Sequence, residues 1–336
     1  MHLPLTVHAA YQDLLEAHRM RSVSDVGGTP FLKELPQGKY WYARQKIGDK
    51  PVDRYIGPDS EDLRERIARM KEAVQDEKSF ERSCAILVAQ LRAAGLATVD
   101  RQTGSILNAM ARVGVFRLGG TLVGTHAFRL YGAELGFALS GALAVTQDVD
   151  IAAFENLKLA IEDHVDPSLA ETFKSLSLEP APGLDAKGRA TRWRLRDGGA
   201  MVDFLAPRMQ SKSEIVRLEP LNVYAQTLPF LNFLIADPIP AVALYRSGIL
   251  VQIPKPERYA VHKLIVAQRR SGPGLAKIPK DLAQAETLIR ILIEDRPQEL
   301  AIAYETALGN GAKWRDAIDA SLKQRPAIRL LLSEAT

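Results

Sequence analysis

Cysteine occurs once in this 336-residue chain, at Cys84, which excludes an intrachain disulfide framework and any zinc site built on cysteines within the chain. The histidines, at positions 2, 8, 18, 126, 164 and 262, show no metal-ligand spacing. The apolar stretch Leu135 to Val145 falls short of the roughly 20 residues that cross a bilayer. Met1 to Met20 has no Lys or Arg ahead of an apolar run and carries Asp13 and Glu16, so no secretory leader is expected. Repeats and low-complexity tracts are also lacking. The net charge is only +4, too small for a generally basic, nucleic-acid-coated surface. A cytoplasmic protein with no membrane partner is the expectation.

What is present is ordinary globular composition, 46% hydrophobic and 25% charged, in a chain long enough for two domains, or three if one is small. Three segments are expected. Residues 1–98 hold a helix over Tyr11 to Arg21, three short strands (Phe31 to Leu35, Lys39 to Ile47, Val52 to Ile56) separated by Pro and Gly turn chemistry, and a long polar helix from Asp59 or Ser60 to about Ala94. Residues 99–254 read as a helix (Ser105 to Val113), a strand (Val115 to Leu118), a second helix (Thr121 to Tyr131) and several strands. These include a hairpin of Arg192 to Arg196 and Ala200 to Leu205 around Asp197-Gly198-Gly199, and the pair Val242 to Tyr245 and Ile249 to Ile253. Residues 255–336 are helical, broken at Gly272 to Gly274, Pro297, Gly309 to Gly311 and Pro326.

Three features fall in order in the middle segment. Gly119-Gly120 between a strand and a helix would let backbone amides approach a phosphate. Asp148 and Asp150 lie two apart in an alternating strand, so their carboxylates project from one face and need a counter-cation. Hard oxygen donors of this kind suit Mg²⁺. Asp203, inside Met201-Val202-Asp203-Phe204-Leu205, is an acid among apolar neighbours, which implies a metal or a basic partner.

Leu118-Gly119-Gly120-Thr121, Gln147-Asp148-Val149-Asp150-Ile151 and Val202-Asp203-Phe204 together resemble the DNA polymerase β-like nucleotidyltransferase superfamily. Arg117 to Phe154 and Tyr259 to Asp281 look like its bacterial branch called NTP transferase family 8. The 28 positions between Gly120 and Asp148 exceed the common family spacing and call for an insertion around Gly132 to Thr146. The resemblance implies an α+β fold, a polymerase β-like palm with a mixed sheet and helices, flanked by the N-terminal helix and meander and the C-terminal helical region. It implies two Mg²⁺ or Mn²⁺ ions on Asp148, Asp150 and Asp203, with Asp203 also assisting deprotonation of the attacking hydroxyl, and an NTP, ATP first, held by Gly119, Gly120 and Thr121. The reaction would move NMP to a hydroxyl on RNA, protein or a small molecule.

Lys255 to Lys280 carries seven basic residues against one acid, Glu257. Helical spacing gathers Arg258, His262 and Arg269 on one face, with Lys263 and Arg270 beside it. Through the resemblance, Lys263 and then Arg269 become expected phosphate contacts. Other motifs fail: Gly183 to Arg189 has Arg where a P-loop needs Lys, and Ser140 lacks the first Gly of a nucleophile elbow. His126 reads as a packed or exposed helix residue. Tyr40, Trp41, Tyr42, Arg44, Lys46, Lys50, Arg54 and Tyr55 interleave aromatic and basic side chains, as a nucleic-acid-binding sheet would, or pack on the long helix. The competing reading is therefore a non-catalytic nucleic-acid-binding or toxin–antitoxin-type protein that keeps the fold.

Overall fold

Alternating tyrosines and small turn residues at the N-terminus close into an antiparallel meander, β1 (Thr29–Leu35), β2 (Gly38–Ile47) and β3 (Lys50–Pro58), paired in the order β1-β2-β3. The computed structural model describes residues 2–26, 28–47, 50–70, 77–139, 143, 148–155, 163–181, 185, 187–208 and 213–335. Ser140, Gln147 and Gly183 lie outside them. Ahead of the meander runs α1 (Leu5–Val26), longer at both ends than expected. After it come α2 (Glu61–Met70) and α3 (Glu77–Ala93), both inside the span expected to be helical. Residues 71–76, between them, are outside the described set.

The middle segment opens with α4 (Arg101–Arg112), capped by Asp100, whose side chain accepts from the amides of Gln102 and Thr103. The expected strand at Val115 to Leu118 is instead a turn. Its amides bond locally, Val115 to the Met110 carbonyl and Leu118 to that of Gly114, between glycines at positive φ, Gly114 and Gly119. The strand comes later, as β4 (Thr121–Val123), and the helix α5 runs over Gly124–Leu135 rather than from Thr121. Next are β5 (Asp148–Ala152), α6 (Leu169–Ser175), β6 (Leu178–Pro180), β7 (Arg192–Leu195), β8 (Met201–Pro207), β9 (Ile215–Leu218), β10 (Val223–Leu228) and the short α7 (Leu231–Leu234).

The central sheet is mixed, ordered β4-β5-β8-β10-β9, with β7 also paired to β8 and β6 to β7. β5 and β10 run parallel to β8, while β4, β7 and β9 pair antiparallel with their neighbours. The expected hairpin at Asp197-Gly198-Gly199 joins β7 to β8, with Gly198 and Gly199 both at positive φ. β11 (Ile239–Ala243) and β12 (Ile249–Ile253) form a separate antiparallel pair.

Helices complete the chain where the Pro and Gly breaks placed them: α8 (Pro256–Ala267), a 3₁₀ turn at Gly272–Lys277, α9 (Ile278–Asp295), α10 (Pro297–Gly309), α11 (Ala312–Gln324) and α12 (Pro326–Ala335). The fold is thus α+β. One apolar core runs from Tyr42 and Tyr55 of the meander through the central sheet to Leu332. A second joins Tyr11, Leu14 and Leu15 of α1 to Cys84, Val88 and Leu91 of α3, and to Ala133, Val242 and Leu244. The meander is fixed to the rest by Asp163. Its carboxylate accepts from Arg54 Nη1 (3.1 Å), the Tyr55 amide (3.0 Å) and Arg117 Nη1 (2.6 Å). Burial alone would raise this carboxyl, yet Arg117 and the amides of Tyr55 and His164 hold it below its ordinary range.

Candidate active site

Val149 and Ile151 are fully buried, which turns Asp148 and Asp150 to the other face of β5. β8 repeats the pattern: Val202 and Phe204 enter the core and Asp203 faces the same way as the two acids. The strands are parallel, with Asp150 directly opposite Asp203 and Asp148 opposite Met201. On the far side of β8, antiparallel register sets Arg192 opposite Asp203. One row across the sheet therefore reads Val123, Asp150, Asp203, Arg192. Arg192 grips Asp203 at both oxygens, Nε to Oδ1 at 2.5 Å and Nη2 to Oδ2 at 2.7 Å, a charge-assisted fork.

Val123 is followed at once by Gly124, the first residue of α5, with φ 67°. A Cβ here would collide with Oδ2 of Asp150, so only glycine lets the helix begin this close to the carboxylate. The start of α5 thus offers its free amides and positive dipole end beside the acids. Gly119, Gly120 and Thr121, the expected phosphate contacts, lie elsewhere. Gly119 belongs to the turn, and a Cβ on Gly120 would stand 2.8 Å from the Val115 carbonyl oxygen. Thr121, itself buried, pairs with Ala152, at the end of β5 away from Asp148. The glycine that the structure sets beside Asp150 has its own sequence signal in Leu122-Val123-Gly124-Thr125, an apolar pair running into Gly-Thr. It also shortens the distance in sequence to Asp148.

Burial, and then the like charges of Asp203 and Asp148, push the Asp150 carboxyl up to about 7, against the opposing pull of Lys263 and Lys277. Lys263 is buried on α8. Its Nζ donates to Asp281 Oδ1 at 2.6 Å and lies 5.2 Å above the Tyr259 ring. Arg270 Nε takes the other Asp281 oxygen at 2.8 Å. Burial pulls the Lys263 ammonium below its usual value, with Asp281 working the other way. Lys280 is lowered by burial and by Lys263. The structure therefore brings Lys263 into the field of the acids. Arg269 is exposed, with its guanidinium 5.7 Å from the centre of the Phe230 ring.

The basic face expected on α8 is not a solvent face. His262 and Lys263 are both buried, because α9, α10 and α11 pack around the helix, and burial drives the His262 imidazole down to about 3. His126, on the first turn of α5, is buried with neither ring nitrogen hydrogen-bonded. Burial and then Arg129 lower it to about 4.

With this geometry in place, the comparison with known families is decisive. A family model described as nucleotidyltransferase matches residues 101–309, well over half the chain. The chain belongs to the nucleotidyltransferase family. A domain of unknown function matches residues 9–65 of this nucleotidyltransferase, from α1 to the start of α2. No curated protein matches it. Among solved structures, an antigenic nucleotidyltransferase-like protein from Paracoccidioides brasiliensis is similar at 12% identity and a TM-score of 0.36, over 77% of this chain and 94% of that one.

In this nucleotidyltransferase the meander's side chains are largely spent on packing. Tyr42 and Tyr55 are buried, and the Trp41 indole donates to Asp59 at 2.9 Å. Arg44 pairs with Asp53, and Arg54 with Asp163 and Asp166. The side chains of Lys46 and Lys50 lie outside the described set. As cation ligands the three aspartates fit in kind, since carboxylate oxygens suit Mg²⁺ or Mn²⁺, and in register on one sheet face. Among the described residues, however, no three acidic, histidine or cysteine side chains already converge as a cation cage, and both Asp203 oxygens face Arg192. No helix among the described residues is long and apolar enough to cross a membrane.

Proposed function

We propose that this nucleotidyltransferase moves a nucleoside monophosphate from an NTP, with ATP the first candidate, to a hydroxyl acceptor, releasing pyrophosphate. The observation that carries the reading is the register of Asp150 with Asp203, and of Asp148 on the same face, at the glycine that starts α5. Asp148, Asp150 and Asp203 would hold two Mg²⁺ or Mn²⁺ ions, which when bound neutralise charge on the attacking and leaving oxygens. Asp150, pushed up to about 7, holds a proton near neutrality until positive charge arrives and releases it then. Asp203 is the acid that would accept the proton of the attacking hydroxyl. The amides at the start of α5 would bind phosphate oxygens. Lys263, fixed by Asp281, would add a rigid positive charge on the same side, with Lys277 and Lys280 nearby. Arg269, turned to Phe230, has no part in this reading.

The reading is tested by incubating the protein with each α-labelled NTP, Mg²⁺ and cell extract, and following the label. The expected result is transfer of label to an acceptor with one base preferred, abolished by chelator and by Asp148→Asn with Asp150→Asn. Transfer that persists in the double variant would refute it.

A further inference from the structure

Asp203 has a neighbour on each side in its row: a like charge, Asp150, and an opposite one, Arg192. The guanidinium satisfies both carboxylate oxygens, and these are the same oxygens a cation would need. Two of the cationic groups near the acids differ in exposure. Lys263 has a side chain 10% exposed and locked to Asp281. Arg192 has a side chain 51% exposed, at the first position of β7, while the Asp203 carboxylate it covers is 15% exposed. A long side chain at such a position can rotate into water without unfolding anything around it.

We propose that Arg192 is a built-in counter-ion that competes with the divalent cation for Asp203, so that loading the site requires the guanidinium to let go. The inference rests on the reading of the three aspartates as cation ligands. The pair neutralises an acidic row that would otherwise repel itself, and it occupies both Asp203 oxygens. A nucleotide helps displacement, because its phosphates offer the released guanidinium a new partner.

The test is a titration of the metal-free full-length chain with Mn²⁺, without nucleotide, following the free Mn²⁺ signal by electron paramagnetic resonance. Wild type is compared with Arg192→Gln, Arg192→Lys and Asp150→Asn. Arg192→Gln should bind Mn²⁺ about tenfold more tightly or better, the scale expected when a forked ion pair stops competing. Arg192→Lys, which cannot make the fork, should fall between the two and guards against misfolding of the glutamine variant. Mn²⁺ should also raise the melting temperature more in Arg192→Gln than in wild type. Equal or weaker Mn²⁺ affinity in both Arg192 variants, with binding still lost in Asp150→Asn, overturns the competition and leaves the metal reading standing. Mn²⁺ binding that ignores Asp150 in every protein overturns both.

Discussion

The Tyr259 hydroxyl, on α8, points its single proton at the Gly124 carbonyl (2.9 Å), with the Gln284 side-chain oxygen also in reach at 3.1 Å. Gln284 is itself fully buried and donates to the Leu143 carbonyl at 2.7 Å. The C-terminal helices therefore grip the backbone at the glycine where α5 begins. The start of α5 is held as a fixed element and not as a pliable loop.

Gly124→Ala should separate the two candidate glycine sites. The substitution forces a side chain into a left-handed backbone and against Asp150, so NTP should bind at least about tenfold more weakly and the nucleotide-dependent rise in melting temperature should vanish. Gly119→Ala, also at positive φ, should cost about 1–2 kcal/mol of stability and leave NTP affinity near wild type. Isothermal titration with a non-hydrolysable NTP checks both. The reverse pattern would return the phosphate site to Gly119.

Lys263 and Asp281 form a buried pair whose members do different jobs. Removing Asp281 leaves the Lys263 ammonium buried without its carboxylate, at about 3–5 kcal/mol, whereas removing Lys263 leaves Asp281 still held by Arg270 at a smaller cost. Lys263→Met combined with Asp281→Leu should recover much of that loss in a chemical-denaturation curve, while NTP affinity stays low. A double variant that regains NTP binding as well would make the lysine purely structural.

Asp150 makes stability depend on pH in an unusual direction. Unfolded, an aspartate titrates near 3.9; in the folded, metal-free chain this one titrates at about 7. Between those values the native state binds more protons than the unfolded state, so its contribution to stability falls as pH rises and is fully lost above 7. Asp150→Asn removes the charge. With chelator present the variant should melt several degrees above wild type at pH 8, with the gap narrowing steadily toward pH 5. A gap of constant size across that range would contradict the raised value.

The acid trio was legible because a strand shows its faces every second residue, and the apolar partners Val149, Ile151, Val202 and Phe204 marked which face was buried. The hairpin and the C-terminal helices were legible through Gly and Pro, whose backbone effects are local. Gly124 was missed for an equally local reason. Thr121–Val123 runs into α5 without a polar break, so in the sequence the strand and helix read as one helix that starts after Gly119-Gly120. That Lys263 and His262 are buried is not legible, because a helical wheel treats charge as a sign of solvent. Asp281 comes from the next helix, and no pattern within α8 announces it. The role of Arg192 is not legible for the same reason, as its partner is fixed by strand register and not by its own neighbours.

The Asp163 clasp has a consequence for how the chain is made. Arg54 and Tyr55 leave the ribosome long before residue 163 exists, and Tyr11, whose hydroxyl accepts from the Val242 amide at 3.1 Å, waits for β11. During synthesis the N-terminal helix and meander therefore emerge first but lock only after residues 163 and 242 follow. Until then the aromatic faces of Tyr42 and Tyr55 and the apolar side of α1 stand open to solvent or to a chaperone, and a pause in translation between residues 60 and 160 would prolong that exposure most.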